Sequence, residues 1–151
     1  MIFNDAKGEV LFAGGNVAGV MARIFRINVL TGLYVKGYVA PAELYFRHGT
    51  LRIQNDYLFI TMQRADSKAC LLGFHLRDND VMSDALFLRT STEGNSYFSS
   101  LDLFGTLIIV SGTINFSGRT YLTLFTFDST NGALYFSSGL DQPQDSTAFV
   151  S

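Results

Sequence analysis

The residues of this chain that could move protons, hold a metal or attack a substrate are few and lie far apart. The single cysteine, Cys70, sits in Ala69-Cys-Leu-Leu72, and the only histidines are His48 and His75. One thiol excludes an internal disulfide and a cysteine-based zinc site, and its apolar neighbours predict a buried, inert group. His75 alternates with Phe74 and Leu76 and so faces away from both, while His48 opens a turn with Gly49. Neither has a second His or Cys at ligand spacing, so neither is expected to bind metal. Asp78-Asn79-Asp80 gathers oxygen donors of the kind calcium takes, but without the glycine and distal glutamate of a calcium loop it reads as a turn. Glu9, Glu43, Asp56, Asp66, Asp84, Glu93 and Asp102 stand singly, and nothing selects a glycosidase-type pair among them. Ala13-Gly-Gly-Asn16 precedes no helix and lacks a lysine for phosphate, and no serine lies in a Gly-x-Ser-x-Gly elbow. The sequence therefore predicts no catalytic residue, no cofactor and no metal.

Composition narrows the partners. Of 151 residues, 48% are hydrophobic and 14% aromatic, with 14 Phe, while only 16% are charged. An average soluble domain carries roughly 25% charged residues, so this chain is expected to be a packed β protein with part of its surface covered by something else. A net charge of −2 with scattered arginines gives no electrostatic case for nucleic acid or anionic membrane. No apolar run approaches the ~20 residues of a membrane helix, and Met1-Ile-Phe-Asn-Asp5 does not resemble a signal peptide. The expectation is a soluble chain, or a piece of one, with no membrane insertion.

Almost every segment carries strand signal. One phrase occurs three times, with copies 49 and 51 residues apart: Phe25-Arg-Ile27-Asn28, Phe74-His-Leu76-Arg77 and Phe125-Thr-Phe127-Asp128, each followed by a polar turn. That period is long enough for one four-stranded unit and marks a repeat architecture. Three strands per copy are evident, rich in β-branched and aromatic residues and separated by Gly or Asn clusters. In the first copy they are 10–13, 22–27 and 33–39, in the second 57–62, 70–76 and 85–88, and in the third 107–110, 121–127 and 133–136. A fourth strand precedes the second and third copies at 50–53 and 100–103, and another, 147–150, closes the chain. The first copy then lacks its outer strand and a spare one lies at the end, an offset that in closed propellers hides open sheet edges. Asp128-Ser-Thr-Asn131-Gly132 is the best-defined turn, because Asp caps its own downstream backbone and Asn-Gly tolerates positive φ; Asn28-Val-Leu-Thr-Gly32 is a weaker version.

The segment Leu124-Phe-Thr-Phe-Asp-Ser-Thr-Asn-Gly-Ala-Leu-Tyr135 resembles the blade repeats of β-propellers, closest to the pyrroloquinoline-quinone-like and related bacterial-type repeats. The chain has no Trp, where many quinone-type repeats carry one after the glycine, so the resemblance does not extend to a quinone cofactor. It implies an all-β fold of three four-stranded antiparallel propeller-type blades in a single repeat domain, with units at about 8–48, 49–99 and 100–145 and a closing strand at 146–151. The alternative with the same strand count is a β-trefoil. Three blades are fewer than the four to eight of closed propellers. The chain is therefore expected to be part or half of a propeller, completed by a protein partner or by a second copy of itself.

Function is then expected from architecture: a non-catalytic binding or scaffolding module for protein or glycan, carried by loops that would hold Asp66, Lys68, Arg89, Glu93, Asn95, Asn115 and Arg119. The alternatives are a propeller-type hydrolase acting on glycans and a trefoil lectin.

Overall fold

The computed structural model describes residues 1–14, 23–39, 44–45, 50–76, 85–91, 95–116, 118–139 and 149–150. Fourteen strands and no helix occur among them: β1 (Ile2–Asn4), β2 (Glu9–Gly14), β3 (Arg23–Asn28), β4 (Tyr34–Val39), β5 (Leu44–Tyr45), β6 (Leu51–Gln54), β7 (Tyr57–Arg64), β8 (Ala69–His75), β9 (Ala85–Ser91), β10 (Tyr97–Phe104), β11 (Leu107–Phe116), β12 (Arg119–Asp128), β13 (Leu134–Gly139) and β14 (Phe149–Val150). They form three antiparallel sheets. The first runs β1-β2-β3-β4 and the third β10-β11-β12-β13; the central sheet runs β14-β9-β8-β7, with β5 and β6 both pairing β7.

The sheets stack face to face. Leu58, Ile60 and Met62 of β7, with Cys70, Leu72 and Phe74 of β8, pack against Leu11, Ile24 and Tyr38 of the first sheet. On the opposite face, Phe59, Ala69, Leu71 and Phe87 pack against Ile108, Val110, Phe125 and Phe127 of the third. Each sheet thus has a front face, toward the preceding sheet, and a back face, toward the following one. Because the central sheet is covered on both faces, β7 and β8 are buried almost without interruption, whereas β12 alternates between buried and open positions. This explains why Leu71-Leu72 reads as a continuous apolar run, whereas in β12, covered on one face, Leu122 and Leu124 lie exposed on either side of buried Thr123.

Three expectations are corrected. The first sheet has its own outer strand, since β1 pairs β2 with Phe3 opposite Val10. The positive φ of Gly8 (60°) turns the chain back after only three strand residues, too few for alternation to reveal them. The terminal strand does not complete the first sheet; Phe149 and Val150 pair with Ser91 and Thr90 at the free edge of β9. Finally, the second copy is aligned two residues differently. Asn28, His75 and Asp128 occupy one position, opposite Glu9, Tyr57 and Leu107, and a β-bulge follows Arg26, Gly73 and Thr126 alike. Phe74 therefore corresponds to Ile27 and Phe127, not to Phe25 and Phe125.

The anticipated turns form. Asn28 Oδ1 accepts from the amides of Leu30 and Thr31, both at 3.0 Å, and the Gly32 amide donates to the Asn28 carbonyl at 2.9 Å. Asp128 Oδ1 accepts from the Thr130 amide at 2.7 Å, and the Gly132 amide donates to the Asp128 carbonyl at 2.8 Å. Gly32 and Gly132 hold φ of 68° and 69°, the left-handed region that favours glycine. A further bond recurs in all three sheets, tying the two turns at one end: Val29 N to Gly8 O, Leu76 N to Asp56 O and Ser129 N to Thr106 O. The turn at Asp78-Asn79-Asp80 lies outside the described residues.

Between the first and central sheets lies one buried ion pair. Arg26 donates to both Glu9 carboxylate oxygens at 2.7–2.9 Å and to the Tyr38 hydroxyl at 2.9 Å. Burial works against the guanidinium charge, but the bonds to Tyr38 and Glu9 more than offset it, so its pKa is raised. Arg26→Met strands the Glu9 carboxylate and is expected to cost about 3–5 kcal/mol in urea unfolding, while Glu9→Leu with Arg26→Met recovers most of that loss. Equal destabilisation of single and double variants would show that the pair is not acting as a unit. For the turns, Gly32→Ala meets open space and should cost only the left-handed strain of about 1–2 kcal/mol. Gly132→Ala also drives a methyl into the Phe87 ring, so it should lower the melting temperature further.

Candidate functional site

The sheets have two ends, and they differ in chemistry. One carries the β1–β2, β6–β7 and β10–β11 turns together with the turns after β3 and β12. Here a cleft of about 250 Å³ opens between the central and third sheets, lined by Gln54, Asn55, Tyr57, Phe59, Leu86, Gly105, Thr106, Ser129 and Thr130. Its floor is aromatic. Tyr57 meets the His75 ring edge-on at 4.7 Å and Phe59 stacks with Phe87 at 6.3 Å. Its rim is amide and hydroxyl, held by a bond of 2.9 Å from Gln54 Nε2 to the Gly105 carbonyl. Asn55 and Asp56 make the β6–β7 turn with φ of 49° and 65°, which sets Asn55 at the mouth.

Two carboxylates adjoin lining residues in sequence, and both are engaged: Asp56 lies 3.2 Å from Lys7 Nζ, and Asp128 is held within its own turn. Asp128 accepts from Thr130 and, at 3.0 Å, from the Tyr135 hydroxyl. The Thr130 bonds hold its pKa below the usual carboxylate value. The cleft lining itself stacks and hydrogen-bonds; it presents no ionisable group apart from the Tyr57 phenol. Sequence reasoning missed this site. Its one trace was Tyr57, an aromatic where the first sheet has Glu9 and the third Leu107.

The opposite end holds most of the anticipated loop residues. The Ser96 amide donates to the Ser67 carbonyl at 3.0 Å, Asn115 N donates to Ser96 Oγ at 2.9 Å, and Gln63 Nε2 donates to the carbonyls of Ser96 and Ser67 at 3.0 and 3.3 Å. These bonds bring Asp66 and Lys68, Asn95 and Asn115 to one end, with exposed Arg119 closing the β11–β12 hairpin opposite Phe116. Asp66 lies 3.3 Å from both Arg64 and Lys68. Arg89 does not join them. It is a strand residue of β9, and its guanidinium donates to the carbonyls of Gly132 and Asn131 at 2.6 and 2.8 Å, clasping the central sheet to the third. Glu93 and His48 lie outside the described residues.

Among the described residues no three His, Cys, Asp or Glu side chains are placed to share a metal ion. No helix among them is long and apolar enough to cross a membrane. No protein-family model matches the chain, and no curated protein matches it.

Cys70 behaves as its neighbours suggested. It is fully buried, with its sulfur 3.5 Å from Thr90 Oγ1, and burial pushes the thiol up to about 11. In folded protein at pH 8 it should react with a disulfide reagent far more slowly than in urea. The unfolded chain ionises this thiol first, from an ordinary value near 9.0, so stability should fall as pH rises between about 9 and 11. Rapid labelling of the native protein would contradict both.

Proposed function

We propose that the chain is a non-catalytic binding or scaffolding module built of propeller-type blades. The observation that supports it is the cleft between the central and third sheets: an aromatic floor under a rim of amides and hydroxyls. Such a lining can stack on one face of a ligand and hydrogen-bond its edge, which suits a neutral, hydroxyl-rich molecule and hence the glycan member of the expected ligand classes. The pairing of consecutive strands in the first and third sheets favours blades over a trefoil, because β1 to β4 and β10 to β13 run in simple order; the central sheet departs from the four-stranded pattern by taking β5 and β14 as well.

A glycan array probed with the folded chain is expected to give hits that Tyr57→Ala weakens by tenfold or more; because Tyr57 also packs on the core between the two sheets, binding is compared at a temperature where melting shows the variant still folded. Binding insensitive to Tyr57 would place the ligand elsewhere. Turnover of glycosides in a hydrolase panel would replace the binding reading with an enzymatic one.

A further inference from the structure

Resting on the blade reading, we propose that the front face of the first sheet is covered by the back face of the third sheet of a second copy of this chain. The same relation already joins the three sheets within one chain. The front face of the central sheet lies on the back of the first, and the front of the third lies on the back of the central sheet. A contact repeated twice in one sense leaves two unlike faces, one at each end of the stack.

The strand registers identify which residues stand at equivalent positions. Val10, Phe12, Phe25 and Ile27 on the open front face correspond to Leu58, Ile60, Leu72 and Phe74 of the central sheet, and to Ile108, Val110, Phe125 and Phe127 of the third. The two internal sets are buried in the cores, whereas the first set is only half-buried and is flanked by Phe3 and Tyr34, which are 57% and 63% exposed. On the open back face, Ile109 and Leu124 correspond to Phe59 and Leu71, which the third sheet covers, and to Leu11 and Ile24, which the central sheet covers. The open front therefore keeps the apolar side chains of a covered front, and the open back keeps those of a covered back. A second copy is the partner certain to carry both.

A closed pair makes this contact twice, each copy giving its back face to the other's front. Light scattering on the wild type should then report twice the mass of one chain. Phe3→Glu with Tyr34→Glu impairs the front, and Leu122→Lys with Leu124→Lys the back; all four side chains are at least 42% exposed, so folding should survive and is checked by melting. Each double variant alone should be monomeric, and an equal mixture of the two should recover dimers, because one intact front meets one intact back. A monomeric wild type would overturn the proposal, and so would a dimer broken by the front variant but not by the back variant, which would be front against front. A monomer that still binds glycan through Tyr57 would leave the binding reading standing and remove only the pairing.

Discussion

The central sheet is buried on both faces, and the rest of the structure follows from that constraint. A strand covered on both sides has no outlet for charge, so β7 and β8 carry none between Tyr57 and Met62 or between Ala69 and Phe74. It also has no spare volume. Gly73 is glycine because a Cβ there would meet the Phe87 ring at 2.7 Å, and Phe87 in turn occupies the space above Gly132 in the neighbouring sheet. Glycine, ring and turn glycine thus form one packed column that runs from the middle of the central sheet into the third. Close packing of this kind transmits a change of one methyl to its neighbours.

Apolar faces press together without fixing how one sheet is rotated on the next. The polar contacts that do so are few and directional. Between the first and central sheets, Lys7 of the β1–β2 turn lies 3.2 Å from Asp56 of the β6–β7 turn, while Arg26 bonds Glu9 and Tyr38 of its own sheet and so holds the Tyr38 ring 5.6 Å from Phe74. Between the central and third sheets, Arg89 holds two turn carbonyls and Gln54 a third. Arg52 and Asp102, 3.4 Å apart and both well exposed, link the outer strands weakly. The geometry between the central and third sheets accordingly depends more on Arg89 and Gln54 than on the exposed Arg52–Asp102 pair.

Local features were legible in the sequence and relations between sheets were not. The Asn28 and Asp128 turns were readable because their chemistry lies within five residues. β1 and β14 were misplaced because two or three residues carry no periodicity, and the partner of such a strand is set by the edge it finds. The second repeat was aligned two residues off because Phe74 looks like Phe25 and Phe125; only the bulge after Gly73 shows that it stands where Ile27 and Phe127 stand. Arg89 looked like a loop residue because β9 continues three residues past Leu88, the end the apolar pattern suggested. The cleft was invisible for a related reason: Tyr57, Gly105 and Ser129 are neighbours only once two sheets have stacked.

The two outer faces of the stack are unlike in more than position. The front of the first sheet offers rings and aliphatic side chains, with Phe12 and Phe25 packed at 5.3 Å. The back of the third mixes Leu107, Ile109, Leu122 and Leu124 with Ser100, Ser111, Thr113 and Thr126, of which Ser100 and Ser111 bond to one another at 2.6 Å. Placing two back faces together would bury hydroxyls from both partners, and each hydroxyl left without a bond costs about 1–3 kcal/mol. A closed front-on-back pair buries both sets as well, but opposite apolar side chains, and keeps the Ser100–Ser111 bond within each copy. Hydroxyl burial is thus equal in the two arrangements, and what favours unlike contact is fit: a front packs on a back at both contacts within the chain itself.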